Sequence, residues 1–398
     1  MKKFILKIVF WAVIFFQSVV FCLAQEKINV VFKNGEERYE CFRIPAIIKA
    51  RNGDLLAYAE ARKKECNDFG DIDIVMKRST NNGKTWSALK IIVDNGLLKA
   101  GNPAPVVDLQ DTRFPKGRIF LLYNTANTSE ADARKGTGVR EVWYITSTDN
   151  GITWSKPVNI TSSAHKPLAP LYNAAYIFAE DWRTNALTPG HALQLNRGKN
   201  KGRIFVAANH SAVPEPGSGN IEMNKAHCFF SDDHGDTWRL GATVEMPGGN
   251  ESTAAELSDG SILQNIRYKN PADKYRVLAF SKSDGESWDT AYVCRDLPDP
   301  VCQGSTISFN YKGEYLVLFS NAASQTKREK LTIRVSRDNG RSWPISFLVD
   351  GGEVSYSDLT VVKADKIGLI YEQGTNSGIV YTLLPVKYIL NSYSTSKF

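Results

Sequence analysis

The frame S-x-D-x-G-x-[TS]-W is written five times in this sequence, and no other feature limits the fold as strongly. The copies occupy residues 79–86 (STNNGKTW), 147–154 (STDNGITW), 231–238 (SDDHGDTW), 281–288 (SKSDGESW) and 336–343 (SRDNGRSW). Each residue type suits a tight β-hairpin. The Asp or Asn accepts from backbone N–H groups two residues on, the Gly takes positive φ, and the Trp inserts a ring between strands. Alternating apolar residues lead into the turns, as in Val142-Trp143-Tyr144-Ile145 and His227-Cys228-Phe229-Phe230. Such hairpin grammar, repeated five times, predicts a repeat architecture. The boxes build scaffold, so chemistry has to come from other residues.

A second phrase accompanies the boxes: a glycine-type turn followed by a strand apolar at successive positions, as expected where both faces are covered. It recurs at residues 53–58, 117–122, 202–207, 260–263, 313–318 and 366–371, and each of the first five is followed by one box. A unit of roughly 50 to 80 residues holding four short strands is one propeller blade. Six units predict an all-β, six-bladed β-propeller. The last unit lacks a box, and a strand near residues 28–32 is expected to complete it and close the ring. Residues 165–200, with Pro167, Pro170, Pro189 and Gly190, read as loops over one face. No linker or low-complexity stretch divides the chain, so residues 25–398 read as one domain.

Residues 1–24 read as a secretory signal, because Lys2, Lys3 and Lys7 precede an apolar run that ends at Cys22-Leu23-Ala24. A membrane anchor is the alternative, but the run is short for a span. A secreted or periplasmic protein is expected, with attachment to the cell surface also open. Removing the three lysines turns 49 basic and 42 acidic residues into 46 and 42, a mature charge of +4. That balance, without a basic run interleaved with aromatics, argues against nucleic acid as a partner. The five mature cysteines are odd in number and irregularly spaced, which argues against a disulfide scaffold or a zinc site. Buried thiols are the expectation, and one Cys41–Cys66 bond is the alternative. His165, His191, His210, His227 and His234 show no metal spacing, and His234, inside a box turn, reads as a surface residue. Neither a metal nor an organic cofactor is expected.

Some charged residues interrupt apolar strands, where solvation does not explain them. Arg43 sits in Phe42-Arg43-Ile44-Pro45, Arg267 ends Ile262-Leu263-Gln264-Asn265-Ile266-Arg267, Arg334 lies in Leu331-Thr332-Ile333-Arg334-Val335, and Glu372 follows Leu369-Ile370-Tyr371. A structural ion pair would account for any one of them. Three arginines in three blades can instead converge near the axis on a single anion. Guanidinium suits a carboxylate, which it binds bidentately without losing charge.

With these residues in hand, the sequence resembles the bacterial exo-α-sialidases (neuraminidases) over nearly the whole mature chain. The boxes match that family's Asp-boxes, and Phe42-Arg43-Ile44-Pro45 matches its FRIP motif. Asn81 and Ser283 depart from the box Asp in the first and fourth copies. The resemblance implies that Arg43, Arg267 and Arg334 grip the carboxylate of sialic acid and that Glu372 holds Arg43. It implies Tyr356 as nucleophile, activated by Glu251, with Glu256 as the rival. Asp68 would be the acid/base, with Asp71 and Asp73 as rivals; Asp73, between Ile72 and Ile74, is expected to face outward from a strand. Arg62 would contact the sugar near its 4-hydroxyl, against the reading of a solvated loop arginine. The implied partners are sialylated glycans, acted on by a monomer. Trans-sialidases, including intramolecular ones, share these core residues. A sialic-acid-binding propeller without turnover would lose Tyr356, Glu251 or Asp68, and all three are present.

Overall fold

Among the described residues, apolar runs covered on both faces and punctuated by glycine turns assemble into six antiparallel four-stranded blades, the third with one further short strand, Leu193–Gln194. The computed structural model describes residues 28–213, 224–374 and 377–392. The signal expected at residues 1–24 lies outside them, and among the described residues no helix is long and apolar enough to cross a membrane. The first blade runs Cys41–Lys49, Leu55–Arg62, Ile72–Ser79 and Lys90–Val93. The second runs Lys99–Asp108, Arg118–Ala126, Arg140–Ser147 and Val158–Asn159. Thr184–Leu187, Ile204–Ser211, Asn224–Ser231 and Arg239–Thr243 form the third. Gly249–Glu256, Ile262–Tyr268, Tyr275–Ser281 and Thr290–Pro298 form the fourth.

The long strand Ile345–Lys363 joins the last two blades. Its first half pairs with Glu329–Ser336 of the fifth blade, which begins with Gly304–Tyr311 and Glu314–Ala322. Its second half pairs with Lys366–Gln373 and is the inner strand of the sixth blade. That blade is completed by Gly378–Pro385 and by Asn29–Lys33, which closes the ring as expected. The architecture is a six-bladed β-propeller, and its apolar core lies in the seams between neighbouring blades.

The boxes connect third to fourth strands and staple each blade to the one before it. In every copy the Ser hydroxyl accepts from the Gly N–H four residues on, at 2.6–2.9 Å. The box Asp accepts from the backbone N–H four residues on rather than two, at 2.8–2.9 Å. Asn81 and Ser283 make the same bond at 3.0 and 2.9 Å, so both departures preserve the turn. The tryptophans lodge between blades, not within one. Trp86 meets Tyr381 of the sixth blade, Trp154 meets Tyr58 of the first, and Trp238 meets Phe120 of the second.

Two expectations need correction here. Residues 165–200 are not only loops, because Thr184–Leu187 is the inner strand of the third blade, in register with Ile204–Ser211. Its Thr-Asn-Ala-Leu run is too short and mixed to carry the apolar-strand signal. Asp73 does not face outward: it is buried and accepts from the Tyr39 hydroxyl at 2.6 Å, because its strand is covered on both sides.

The third blade also buries His165, His210 and His227. Trp182 stacks on His210 with ring centroids 3.6 Å apart, and His210 Nδ1 lies 3.1 Å from His227 Nδ1. Burial pushes His165 and His227 down from 6.5 to about 3, and drives His210 well below its ordinary value. The folded state therefore keeps all three neutral while the unfolded chain binds protons below pH 6.5. Stability supplied by these groups is fully present above pH 6.5 and is lost as pH falls toward about 3. Urea midpoints are expected to drop between pH 7 and pH 5; equal midpoints would show that the cluster is not held neutral.

Candidate active site

Antiparallel order decides which residues can meet. The starts of first and third strands, and the ends of second strands, share one mouth of the propeller; the boxes share the other. Between the mouths the axis is closed by Asp358. Its buried carboxylate accepts from Ile47 N at 2.8 Å, from Ser305 Oγ at 2.7 Å, and from His191 N and Nδ1 at 3.2 and 2.7 Å.

Four inner strands break register near the first mouth, between Arg43 and Ala46, Gly101 and Ala104, Gly249 and Ser252, and Val354 and Ser357. Bulges re-aim side chains; the first begins directly after Arg43, and the others bracket Asn102, Glu251 and Tyr356. Ile44 adopts φ +58°, a left-handed conformation costly for a β-branched residue. Glu372 holds it by accepting from Ile44 N at 2.8 Å and from Arg43 Nε at 2.9 Å. Burial works against the Arg43 charge, but Glu372 more than offsets it and keeps the guanidinium above its ordinary pKa.

The centre of the cleft is Tyr356. Its hydroxyl donates to Glu251 Oε1 at 2.6 Å and accepts from Arg267 at 3.1 Å, while Arg267 also donates to Glu251 Oε2 at 2.5 Å. The ring packs with Ile44 and Cys302. Burial first, then the Glu251 charge, raises the Tyr356 pKa well above 10, with Arg267 opposing them. The raised pKa favours the neutral phenol, and Glu251 is the group placed to take its proton if this oxygen forms a new bond. Asp68 lines the same cleft of about 180 Å³ with its side chain 80% exposed, and is oriented by Arg62 at 2.9 Å.

Arg62 is neither a solvated loop residue nor part of the cleft lining. It is the last residue of a buried strand and pairs with Glu60 at 2.7 Å, while Lys99 pairs with Glu60 at 3.1 Å. Burial alone would raise the Glu60 carboxyl, but Lys99 and Arg62 hold it down at about 2. This buried triad, unseen in the sequence, supports the Asp68 loop from below. Lys99 also donates to the Asp68 carbonyl at 3.0 Å.

The rivals are placed elsewhere. Asp71 pairs with Lys63 at 2.8 Å, and Glu256 ends its strand by accepting from the Asn196 and Arg197 backbone.

Arg334 is the main correction. It lies within the third strand of the fifth blade, and the charged group beside it is Asp296 of the fourth blade's outer strand. Burial lowers its pKa to about 10, and its Nη1 has no partner among the described residues. The arginine that stands with Arg43 and Arg267 beside Tyr356 is Arg328. It stands just before that strand, donates to Ser355 Oγ at 3.1 Å, and lies 5.8 Å from the Tyr356 ring centroid. Leu331, Ile333 and Val335 are buried on one face of the strand and leave Arg334 on the other. Only residues at the strand's start reach the axis. The available signal was the position of Arg328 in Lys327-Arg328-Glu329-Lys330, at the mouth end of a third strand.

The cysteines also differ from expectation, since Cys41 and Cys66 are disulfide-bonded and Cys228, Cys294 and Cys302 are buried thiols. The bond ties the start of the Arg43 strand to the loop carrying Asp68. Cys66→Ser is expected to cost about 3 kcal/mol in urea unfolding and to lower kcat several-fold by freeing that loop. A wild-type kcat in the variant would show that the bond only stabilises.

His234 is half-buried and bonded to Asp108 at 2.8 Å, correcting its reading as a surface residue. Asp108, Asp111 and His234 approach one another closely enough to hold a cation, but Arg113 and Arg118 already pair with Asp111.

Comparison with known proteins gives a consistent picture. Residues 53–370 match the BNR repeat-like domain family. The chain is 33% identical to a sialidase of Micromonospora viridifaciens over 87% of its own length, and spans only 52% of that protein. It is 30% identical to an exo-alpha-sialidase of Arthroderma benhamiae, covering 84% of this chain and 78% of the relative. Among solved structures, a Hadza microbial sialidase superposes with a TM-score of 0.75 at 25% identity, over 89% of this chain and 67% of the other.

Proposed function

This chain belongs to the sialidase family, and from that membership we propose that it is an exo-α-sialidase, removing terminal α-linked sialic acid from glycans by two displacements at the anomeric carbon. One observation carries the reading: the Tyr356 hydroxyl sits 2.6 Å from Glu251, with Arg43, Arg267 and Arg328 lining the same cleft. Most glycosidases use two carboxylates, and tyrosine-based sialidases are an exception. The substrate carries a carboxylate on its anomeric carbon, so an anionic nucleophile would be repelled where a neutral phenol is not.

In the first step the Tyr356 oxygen bonds to the anomeric carbon as the bond to the leaving oxygen breaks. Glu251 takes the phenol proton, and Asp68 gives its proton to the leaving oxygen. In the second, Asp68 takes a proton from water, the water oxygen bonds to the anomeric carbon, and Tyr356 leaves with its proton restored from Glu251. Two inversions give net retention. The arginines bind the carboxylate and fix the ring while positive charge develops beside it. Arg62 acts through Asp68 and not on the sugar.

Residues 25–398 would form one catalytic unit that works as a monomer. The lysine-led apolar run at residues 1–24 and the Cys41–Cys66 bond both support export to an oxidising compartment.

The test is hydrolysis of a fluorogenic α-sialoside by the full chain, followed by proton NMR. Free sialic acid released first as the α-anomer is the expected result. An anhydro sugar would indicate intramolecular transfer, and binding of sialyllactose without release would indicate a lectin.

A further inference from the structure

Residues 167–179 carry no charge, and they stand on the same mouth of the propeller as the cleft. They belong to the connection from the outer strand of blade two to the inner strand of blade three, whose first residue, Thr184, lines the cleft. An antiparallel bridge between Leu168 and Ile177 shapes them into a finger. Its roots are firm. Tyr176 is buried and donates to Glu141 at 2.5 Å, Trp182 N donates to the Lys166 carbonyl at 2.8 Å, and the Trp182 ring stacks on His210. Its tip is apolar and bare: Leu171 is 98% exposed, Ile177 68%, Tyr172 55% and Leu168 49%. The corresponding connection between blades one and two adds Leu97, 79% exposed.

The finger also satisfies much of its own backbone. Ala169 N donates to the Tyr176 carbonyl at 2.8 Å, Tyr172 N to that of Ala169 at 3.0 Å, and Tyr176 N to that of Asn173 at 2.9 Å. Ala175 N donates to the Asn173 side chain at 2.9 Å, and Pro167 and Pro170 have no N–H to satisfy. A backbone that supplies its own acceptors can leave water, which is the condition a lipid phase sets. Lys166 and Glu180 at the base pair with each other at 2.5 Å, so the finger offers no net charge to an ionic partner. A second copy offers it no apolar seat on this mouth, where the hollows among the described residues are lined by Arg43, Lys327 and Glu353 or by Asp68, Lys99 and Glu251. A bilayer needs no complementary hollow, and a tyrosine suits the level of its head groups.

We propose that Leu168, Leu171, Tyr172 and Ile177 insert into the surface of a lipid bilayer and hold the mouth of the cleft over the head groups of sialylated glycolipids. The choice of glycolipid rests on the sialidase reading above; the insertion does not. The test is flotation of residues 25–398, which carry every described strand of the closed ring, with phosphatidylcholine vesicles that contain no sialic acid. Wild type is expected to float equally at about 0.1 M and about 1 M salt, because no ionic contact is involved. Leu171→Ser combined with Tyr172→Ser should lower the partition coefficient roughly tenfold or more. The same variant should keep kcat/KM on a soluble fluorogenic sialoside within about twofold, while its hydrolysis of a sialylated glycolipid in vesicles falls with the partition coefficient. Absence of wild-type flotation, flotation lost at high salt, or equal flotation of the variant overturns the inference. So does a wild-type dimer that ignores vesicles and that the variant abolishes. Failure to turn over the soluble sialoside overturns the hydrolase reading alone, and the sialic-acid-free vesicles still decide the insertion.

Discussion

Tyr356→Phe is expected to lower kcat roughly a thousand-fold or more while changing KM only a few-fold. The substitution removes one oxygen and leaves the ring packed against Ile44 and Cys302. Arg267 keeps its 2.5 Å contact with Glu251, so the cleft's charges stay paired and the fold should be unaffected. The arginines proposed to bind the carboxylate remain, so affinity should be preserved. What disappears is the hydroxyl that, among the described residues, donates to Glu251 in the cleft and is proposed to attack. Steady-state kinetics beside a urea melt would separate this from misfolding. A loss below about tenfold would mean that water or another residue attacks directly.

The second large effect distinguishes two arginines six residues apart. Arg328→Ala should lower kcat/KM by roughly 10²-fold or more, because on the proposed reading it deletes a charge-assisted contact to the substrate carboxylate. Arg334→Met should leave kcat/KM within about twofold. It replaces a guanidinium that burial has pushed to about 10 and whose Nη1 is unpartnered among the described residues, so stability should hold or rise. The reverse pattern would return the carboxylate site to the Arg334 position.

The comparison between these arginines also shows where the sequence was legible. Box turns and glycine-led apolar runs have strong local signals, and they determine the blade count. Arg43 and Arg267 interrupt or end apolar runs and so carry a local signal, whereas Tyr356 is marked only by the family resemblance. Arg334 failed because its frame, Leu331-Thr332-Ile333-Arg334-Val335, looks the same in any buried strand, and period two alone does not say which strand of a blade it is. Arg328 lies in the charged run Lys327-Arg328-Glu329-Lys330, which carries no pattern to set it apart from a solvated strand end. The Glu60–Arg62–Lys99 triad joins residues of two blades, so no local pattern marks it. The Cys41–Cys66 bond depends likewise on a strand start and a loop meeting in space. The inner strand Thr184–Leu187 owes its conformation to the ladder with Ile204–Ser211 rather than to propensity.

The central claim is that Tyr356 becomes covalently bonded to the sugar. It is tested most directly by inactivating the protein with a 2,3-difluoro sialic acid, which slows the second displacement, and mapping the adduct by peptide mass spectrometry. The account predicts one sugar per chain, attached to Tyr356, with activity recovering as the adduct hydrolyses. An adduct on Asp68 or Glu251, or none at all in a protein that still turns over sialosides with retention, would contradict it.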